Sequence, residues 1–261
     1  MERRPICEAA MTRIFVGQPY AVGDLIPLEP AQVHYLRDVL RLREGEAFLA
    51  VLPDGREAEA RLEGEGARVT RIGPGKPQPP ARVLLYAALT KHRRFEWMIE
   101  KVTEVGAAEI LPMVTEHAVV RPREERLAAQ VERWNKLAEA AGRQCHSPTV
   151  PPVAKPLEFP AALAHWQAQA IPGIIFTLPT PEEPPALKRV LADLGETPAV
   201  ALFIGPEGDF SPAEVRQAVA AGLHPASLGP RVLRAETAAV VAAALCLYEI
   251  AGSPRDIHGH A

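Results

Sequence analysis

Ala199-Val200-Ala201-Leu202-Phe203-Ile204-Gly205-Pro206-Glu207-Gly208-Asp209, continued by Phe210-Ser211-Pro212-Ala213-Glu214, is the stretch that decides how this chain folds. Six apolar residues stand between Pro198 and Gly205 without polar alternation, the pattern of a strand buried on both faces. The strand ends in a glycine turn. Ser211 then occupies an N-cap position, with Pro212 first and Glu214 third in the helix that follows, so a capping box and an N1 proline agree on where that helix begins.

Working outward, a second short strand is expected at Ala226–Leu228, stopped by Gly229-Pro230. The turn Ser227-Leu228-Gly229-Pro230-Arg231-Val232-Leu233-Arg234 leads into Ala235–Ile250, whose apolar residues cover almost the whole circumference of a helix. Such a helix must be buried, partly against another subunit. Loops at the carboxyl ends of parallel strands are where open α/β sheets bind ligands, and two glycine turns side by side form a cleft. Gly205 and Gly208 would let a small cofactor approach the backbone closely. A P-loop would require a Lys-Ser/Thr pair that neither turn has. A dinucleotide fingerprint would require G-x-G-x-x-G and a later acid, whereas the spacing here is G-x-x-G and Ala226–Leu228 holds no acid.

The chain has 261 residues, 48% hydrophobic and 23% charged, enough for one large or two modest domains. No apolar run approaches the ~20 residues of a membrane span, and Glu2-Arg3-Arg4-Pro5 lacks the apolar centre of a secretion signal, so a cytoplasmic protein is expected. Cys7, Cys145 and Cys246 are far apart and the eight histidines are scattered, which argues against a disulfide framework and against a metal site. Net charge is −3, so any nucleic-acid contact must rest on local basic clusters.

Residues 1–72 carry short strand patterns, among them Arg13–Val16, Ala47–Leu52 and the alternating Glu57–Leu62, with one helix from Pro30 to Leu42; a small barrel is expected. Residues 73–81, rich in proline and glycine, form a linker. From 82 to 252 strands and helices alternate: strands at Val83–Leu89, Ile110–Val114 and Ile171–Leu178, and helices at Lys91–Val105, Glu124–Cys145 and Pro185–Leu194. A Pro-rich passage runs from Pro148 to Pro160, and 253–261 read as a tail. The alternation predicts an α/β layer with a mostly parallel sheet.

The segments Phe203–Gly208 with Ser211-x-x-Glu214, and Leu228–Ala238, resemble those of the bacterial 16S ribosomal RNA uridine-N3 methyltransferase family, of the SPOUT class. Thr12–Val16, Val39–Arg41 and Glu100–Ala107 resemble family segments too, so the likeness covers most of the chain, from about Met11 onward. Asp209 stands where the family more often has a third glycine, and His117 where arginine is usual. The resemblance implies an N-terminal PUA-like β-barrel that binds RNA, followed by a knotted α/β SPOUT domain acting as a homodimer on 16S ribosomal RNA or the assembled small subunit. It also implies S-adenosylmethionine as cofactor, held by Thr177, Leu178, Phe203, Ile204, Gly205, Pro206, Gly208, Ser227, Leu228, Gly229, Leu233, Thr237 and Ala238, with no metal.

Methylation at N3 of uridine needs loss of the N3 proton, which spreads charge onto O2 and O4. A fixed guanidinium would stabilise that charge. Arg234 is the first candidate and Arg231 the second, while Glu207 and Glu236 are candidate carboxylates. Phosphate contacts are expected from Arg13, Arg37, Arg41 and Arg43 and from Lys91, His92, Arg93 and Arg94. A ribose 2′-O-methyltransferase on the same fold and a non-catalytic RNA-binding assembly factor are the competing readings.

Overall fold

The computed structural model describes residues 11–74, 81–178 and 184–250. Most of the expected linker, the tail at 253–261 and Cys7 lie outside the described residues, as does the side chain of His92. The chain divides into two compact units, one of residues 1–78 with 142–149, the other of 79–141 with 150–261.

The first unit holds β1 (Arg13–Phe15), β2 (Leu25–Pro27), α1 (Pro30–His34), β3 (Ala47–Val51), β4 (Glu57–Glu63) and β5 (Gly66–Ile72). They form one sheet, ordered β1-β3-β4-β5-β2, that curls as a half-barrel. The β1–β3 pair is parallel and the others antiparallel. Alternation in β4 sends Ala58, Ala60 and Leu62 into a core with Ile14, Ile26, Leu36, Phe48 and Val69. The helix expected over Pro30–Leu42 is α for one turn only. It widens into a π-helical turn over Tyr35–Val39, and Arg41 then takes a left-handed conformation with φ of 60°.

The second unit contains β6 (Arg82–Ala88), α2 (His92–Val105), β7 (Glu109–Val114), all but the last three residues of α3 (Glu124–Gln144), β8 (Leu157–Glu158), α4 (Phe159–Gln169), β9 (Gly173–Phe176), α5 (Leu187–Leu194), β10 (Ala199–Ile204), α6 (Pro212–Ala220), β11 (His224–Ala226) and α7 (Ala235–Ile250). Its six strands run β11-β9-β10-β6-β7-β8, every pair parallel. This is the expected fold class, a curled β unit followed by a parallel α/β layer.

β10 is central and entirely buried, as its unbroken apolar run requires. Val200, Leu202 and Ile204 join a core with residues of α2, α5 and α7, while Ala201 and Phe203 join a core with Phe159, Leu163 and Trp166 of α4. Helices therefore cover both faces. Three readings need correction. The helix α4 begins at the last two residues of the Pro-rich passage and runs on through 161–169, to which no element was assigned; Pro160 stands in its first turn, where its missing N–H breaks no hydrogen bond. The strand expected at Ala226–Leu228 is β11 at His224–Ala226, two residues earlier, and β9 is confined to Gly173–Phe176 within the expected Ile171–Leu178.

Candidate methyl-donor cleft

The register of the sheet creates the site. Phe176 at the end of β9 is paired with Ile204 at the end of β10 and with Ala226 at the end of β11, so three loops leave the sheet at one level. Brackets between them are backbone: Thr177 N–H donates to Ala226 O at 3.3 Å, and Ser227 N–H to Pro185 O at 2.9 Å. The Ser227 hydroxyl closes the third loop, accepting Gly229 N–H at 3.1 Å and donating to Gly229 O at 3.2 Å. Gly229 has φ of 115°, a conformation that glycine alone adopts readily.

Between these loops lies a cleft with about 610 Å³ of empty space, its open mouth included. Thr177, Leu178, Ile204, Gly205, Pro206, Ser227, Leu228, Gly229, Leu233 and Ala238, all expected there, line it together with Glu207 and Arg231. Phe176, Asp209, Val232 and Ala235 line it as well and had not been singled out as cofactor residues. A Cβ at Gly205 would come within 3.1 Å of Asp209 Oδ1 and 3.2 Å of Phe210 N, so a larger residue there would require the turn to shift by a few tenths of an ångström.

Three expected cofactor residues stand elsewhere. Phe203 is fully buried on the opposite face of the sheet, stacked on Tyr86 with ring centroids 4.3 Å apart, because successive strand residues alternate sides. Gly208 backs onto His117, and Thr237, in the first turn of α7, is not among the lining residues.

The charged residues fall into a pattern that the sequence does not display. Arg94, expected to touch RNA, instead places Nη1 2.7 Å from Glu207 Oε1 and Nε 3.9 Å from Glu236 Oε1. Glu236 is buried, and its Oε2 has no hydrogen-bond partner among the described residues. Arg231 is exposed within the cleft lining, whereas Arg234 is exposed one residue before α7 and is not part of that lining.

Arg13 is a further correction: it is buried, 2.6 Å from Glu57, so it supports the first unit's core and does not face an RNA. Arg37 is tied to Glu44 and Gly64 O. Arg41, Arg43, Lys91 and Arg93 are exposed. Lys91 is the N-cap of α2, where a cation opposes the helix dipole.

S-adenosylmethionine, a sulfonium cation with a flat aromatic base, fits this lining: Leu178, Leu228, Leu233 and Ala238 give aliphatic walls, Glu207 and Asp209 give negative charge, and loop backbone gives hydrogen-bonding edges. A family model described as an RNA methyltransferase domain matches residues 77–247, and one described as an RNA methyltransferase PUA domain matches 28–72. The ribosomal RNA small subunit methyltransferase E of Synechocystis is 33% identical over 89% of this chain and 76% of its own length. The Neisseria gonorrhoeae protein of that name, solved bound to S-adenosylmethionine, superimposes with a TM-score of 0.77 at 26% identity, over 90% of this chain and 96% of that one. A protein of Legionella pneumophila described as a methyltransferase, solved with the same cofactor, gives 0.80 at 29% identity, with 90% and 96% covered. Since the first family model spans well over half of the residues, cleft and both glycine turns included, the chain belongs to the RNA methyltransferase family.

Proposed function

We propose that this enzyme methylates N3 of a specific uridine in 16S ribosomal RNA of the small ribosomal subunit, using S-adenosylmethionine. The observation that carries the reading is the cleft where β9, β10 and β11 end together, with a guanidinium (Arg231) and a carboxylate (Glu207) in its wall. Relatives named for methylation of small-subunit ribosomal RNA support it.

When bound, the cofactor supplies a methyl group made electrophilic by the sulfonium it sits on. The residues of the chain have the remaining work: to align the acceptor, exclude water and take the N3 proton. We assign the proton to Glu207, because it lines the cleft while Glu236 does not, and Arg94 holds one of its oxygens in place. As that proton leaves, charge grows on O2 and O4 of the base. Arg231, already in the cleft wall, is placed to stabilise it by roughly 3 kcal/mol. Arg234, outside the lining, is assigned to the incoming RNA strand at the rim. The target base must leave its stack to present N3 to the cleft.

Residues 1–72 are assigned to gripping the RNA, with Arg37, Arg41 and Arg43, and residues 82–252 to catalysis, with Lys91 and Arg93 on the RNA side. A homodimer through α7 is part of the proposal: this helix is apolar all round, yet Leu245 and Tyr248 are 47% and 74% exposed. No helix among the described residues is long and apolar enough to cross a membrane, and a cytoplasmic site of action suits a ribosomal substrate.

The test is transfer from methyl-labelled cofactor to small subunits that lack the modification, followed by digestion to nucleosides. Label in base-methylated uridine is expected. Label in ribose-methylated uridine, or binding of both ligands without transfer, would overturn the assignment.

A further inference from the structure

The Gly205–Gly208 turn is held by side chains from both sides. Asp209 takes a left-handed conformation with φ of 57°, one that L-residues other than Asn and Asp seldom adopt. Its Oδ2 accepts the backbone N–H of Leu178 at 2.8 Å, so it reaches across to the loop that follows β9. On the other side, His117 Nδ1 lies 2.9 Å from Gly208 O and 3.0 Å from Asp209 O. Both are carbonyls, so Nδ1 carries the proton and donates.

His117 is anchored in turn. Glu116 N–H donates to Glu214 Oε1 at 2.9 Å, while Glu214 Oε2 accepts Ser211 N–H at 2.9 Å. The carboxylate that caps α6 thus also fixes the loop after β7. A continuous set of hydrogen bonds runs from the α6 cap through His117 and the glycine turn to Leu178.

We propose that Asp209 and His117 form a latch that ties the Thr177-Leu178 loop to the Gly205–Gly208 turn, making both residues positioning residues for binding of the methyl donor. This rests on the reading of the cleft as the donor's seat. Strand pairing joins β9 and β10 only as far as Phe176 and Ile204. Beyond that pair the Asp209–Leu178 bond sets how far apart two walls of the cleft stand. A glycine at 209 would accept the backbone conformation but leave the Leu178 N–H without its acceptor. An alanine would supply neither the acceptor nor the ease of conformation.

The test uses the full chain and its Asp209→Ala, Asp209→Gly, Asp209→Asn, His117→Ala and His117→Asn variants. S-adenosylmethionine affinity is measured by calorimetry, and amide hydrogen exchange at Leu178 is followed in protein without cofactor. Asp209→Ala should weaken the donor about tenfold and speed Leu178 exchange by a similar factor, as loss of a charge-assisted hydrogen bond implies. Asp209→Gly should lose less, and Asp209→Asn, which keeps an acceptor and tolerates the conformation but gives up the charge, should fall between Asp209→Ala and wild type. His117→Ala should weaken binding several-fold, with His117→Asn restoring most of it through an N–H near the position of Nδ1. In turnover the donor KM should rise in Asp209→Ala while kcat holds within about twofold.

Equal donor affinity in wild type and Asp209→Ala, or unchanged exchange at Leu178, would overturn the latch. Failure of the wild-type chain itself to bind the donor would overturn the reading of the cleft and the proposal with it, a result distinct from wild type and variant binding alike. Should Asp209→Ala not fold, the Gly and Asn variants carry the comparison, since both accommodate the backbone.

Discussion

The Arg94 guanidinium reaches Glu207 across 113 residues of sequence, with Nη1 2.7 Å from Oε1, and so joins the start of α2 to the wall of the cleft. The same guanidinium is 3.9 Å from Glu236 in the first turn of α7. A basic residue in the first turn of a helix opposes the helix dipole, and here two carboxylates offset that cost. Arg94 is therefore tied to the cleft wall through Glu207.

Replacing it separates the two roles. Arg94→Ala should lower kcat by about tenfold or more, because Glu207 loses its fixed position, while the RNA KM changes little. Stability should fall by only about 1–2 kcal/mol, since the Glu207 pair is partly exposed and the Glu236 contact is long. Arg94→Lys should recover part of the rate. A raised RNA KM at unchanged kcat, measured with small subunits as substrate, would return Arg94 to the RNA surface.

The two arginines before α7 should differ in kind. Arg231→Ala removes charge from within the cleft wall and should depress kcat by ~100-fold with donor affinity nearly unchanged, as expected where an interaction strengthens while charge develops. Arg234→Ala removes an exposed charge outside the lining and should act chiefly on the RNA KM, more at low salt than at high. Steady-state kinetics of both variants at two salt concentrations decide between this division and the reverse one.

What the sequence disclosed was local. Ser211, Pro212 and Glu214 announce the start of α6 because a cap and its partners lie within one turn, and the capping box is present as read. Both glycine turns were legible for the same reason. Phe203 was not, since a strand buried on both faces has no polar residue to reveal which side each residue takes. The α4 helix was hidden because proline is a breaker inside a helix and a starter at its first turn, and pattern alone does not distinguish the two at Pro160. Pairings between remote residues, Arg94 with Glu207 and His117 with Gly208, have no local signature. They appear only when parallel strands bring their loops to one edge.

Gly173 shows how the scaffold beneath the cleft is constrained. A Cβ there would collide with Leu223 and come within 2.6 Å of Trp166 Cε2, whose indole N–H is fixed to Ile171 O at 3.0 Å. Neither ring nor strand has room to yield. Gly173→Ala should destabilise the protein by about 1–3 kcal/mol, read as a lower denaturant midpoint at unchanged slope.

Asn135 is the chain's one asparagine, and it binds α3 to the backbone of Val153: its amide donates to Val153 O at 3.0 Å and accepts Val153 N–H at 2.9 Å. Val153 is buried, so Asn135→Leu would leave two backbone groups without partners. A loss of about 2–4 kcal/mol is expected, larger than for Asn135→Asp, which retains the acceptor. Equilibrium unfolding of the two variants tests the order.

The last expectation concerns pH. Hydrogen bonds to Asp209 O and Gly208 O raise the His117 pKa from 6.5, with the carboxylates of Glu116 on its own loop and Glu214 on α6 acting in the same direction. Because Nδ1 keeps its proton to donate to those carbonyls, Nε2 is the nitrogen that titrates. A folded-state pKa above the unfolded one means that the imidazolium stabilises the native protein fully below the unfolded value, and that this contribution is lost as pH rises through the folded value. Wild type should therefore lose stability relative to His117→Asn as pH rises from below the ordinary histidine value of 6.5 to well above it, and donor affinity should weaken over the same range in wild type but not in the variant. Matched unfolding curves and calorimetric titrations at the two ends of that range measure it, and parallel pH profiles for the two proteins would show that protonation of His117 plays no part in holding the turn.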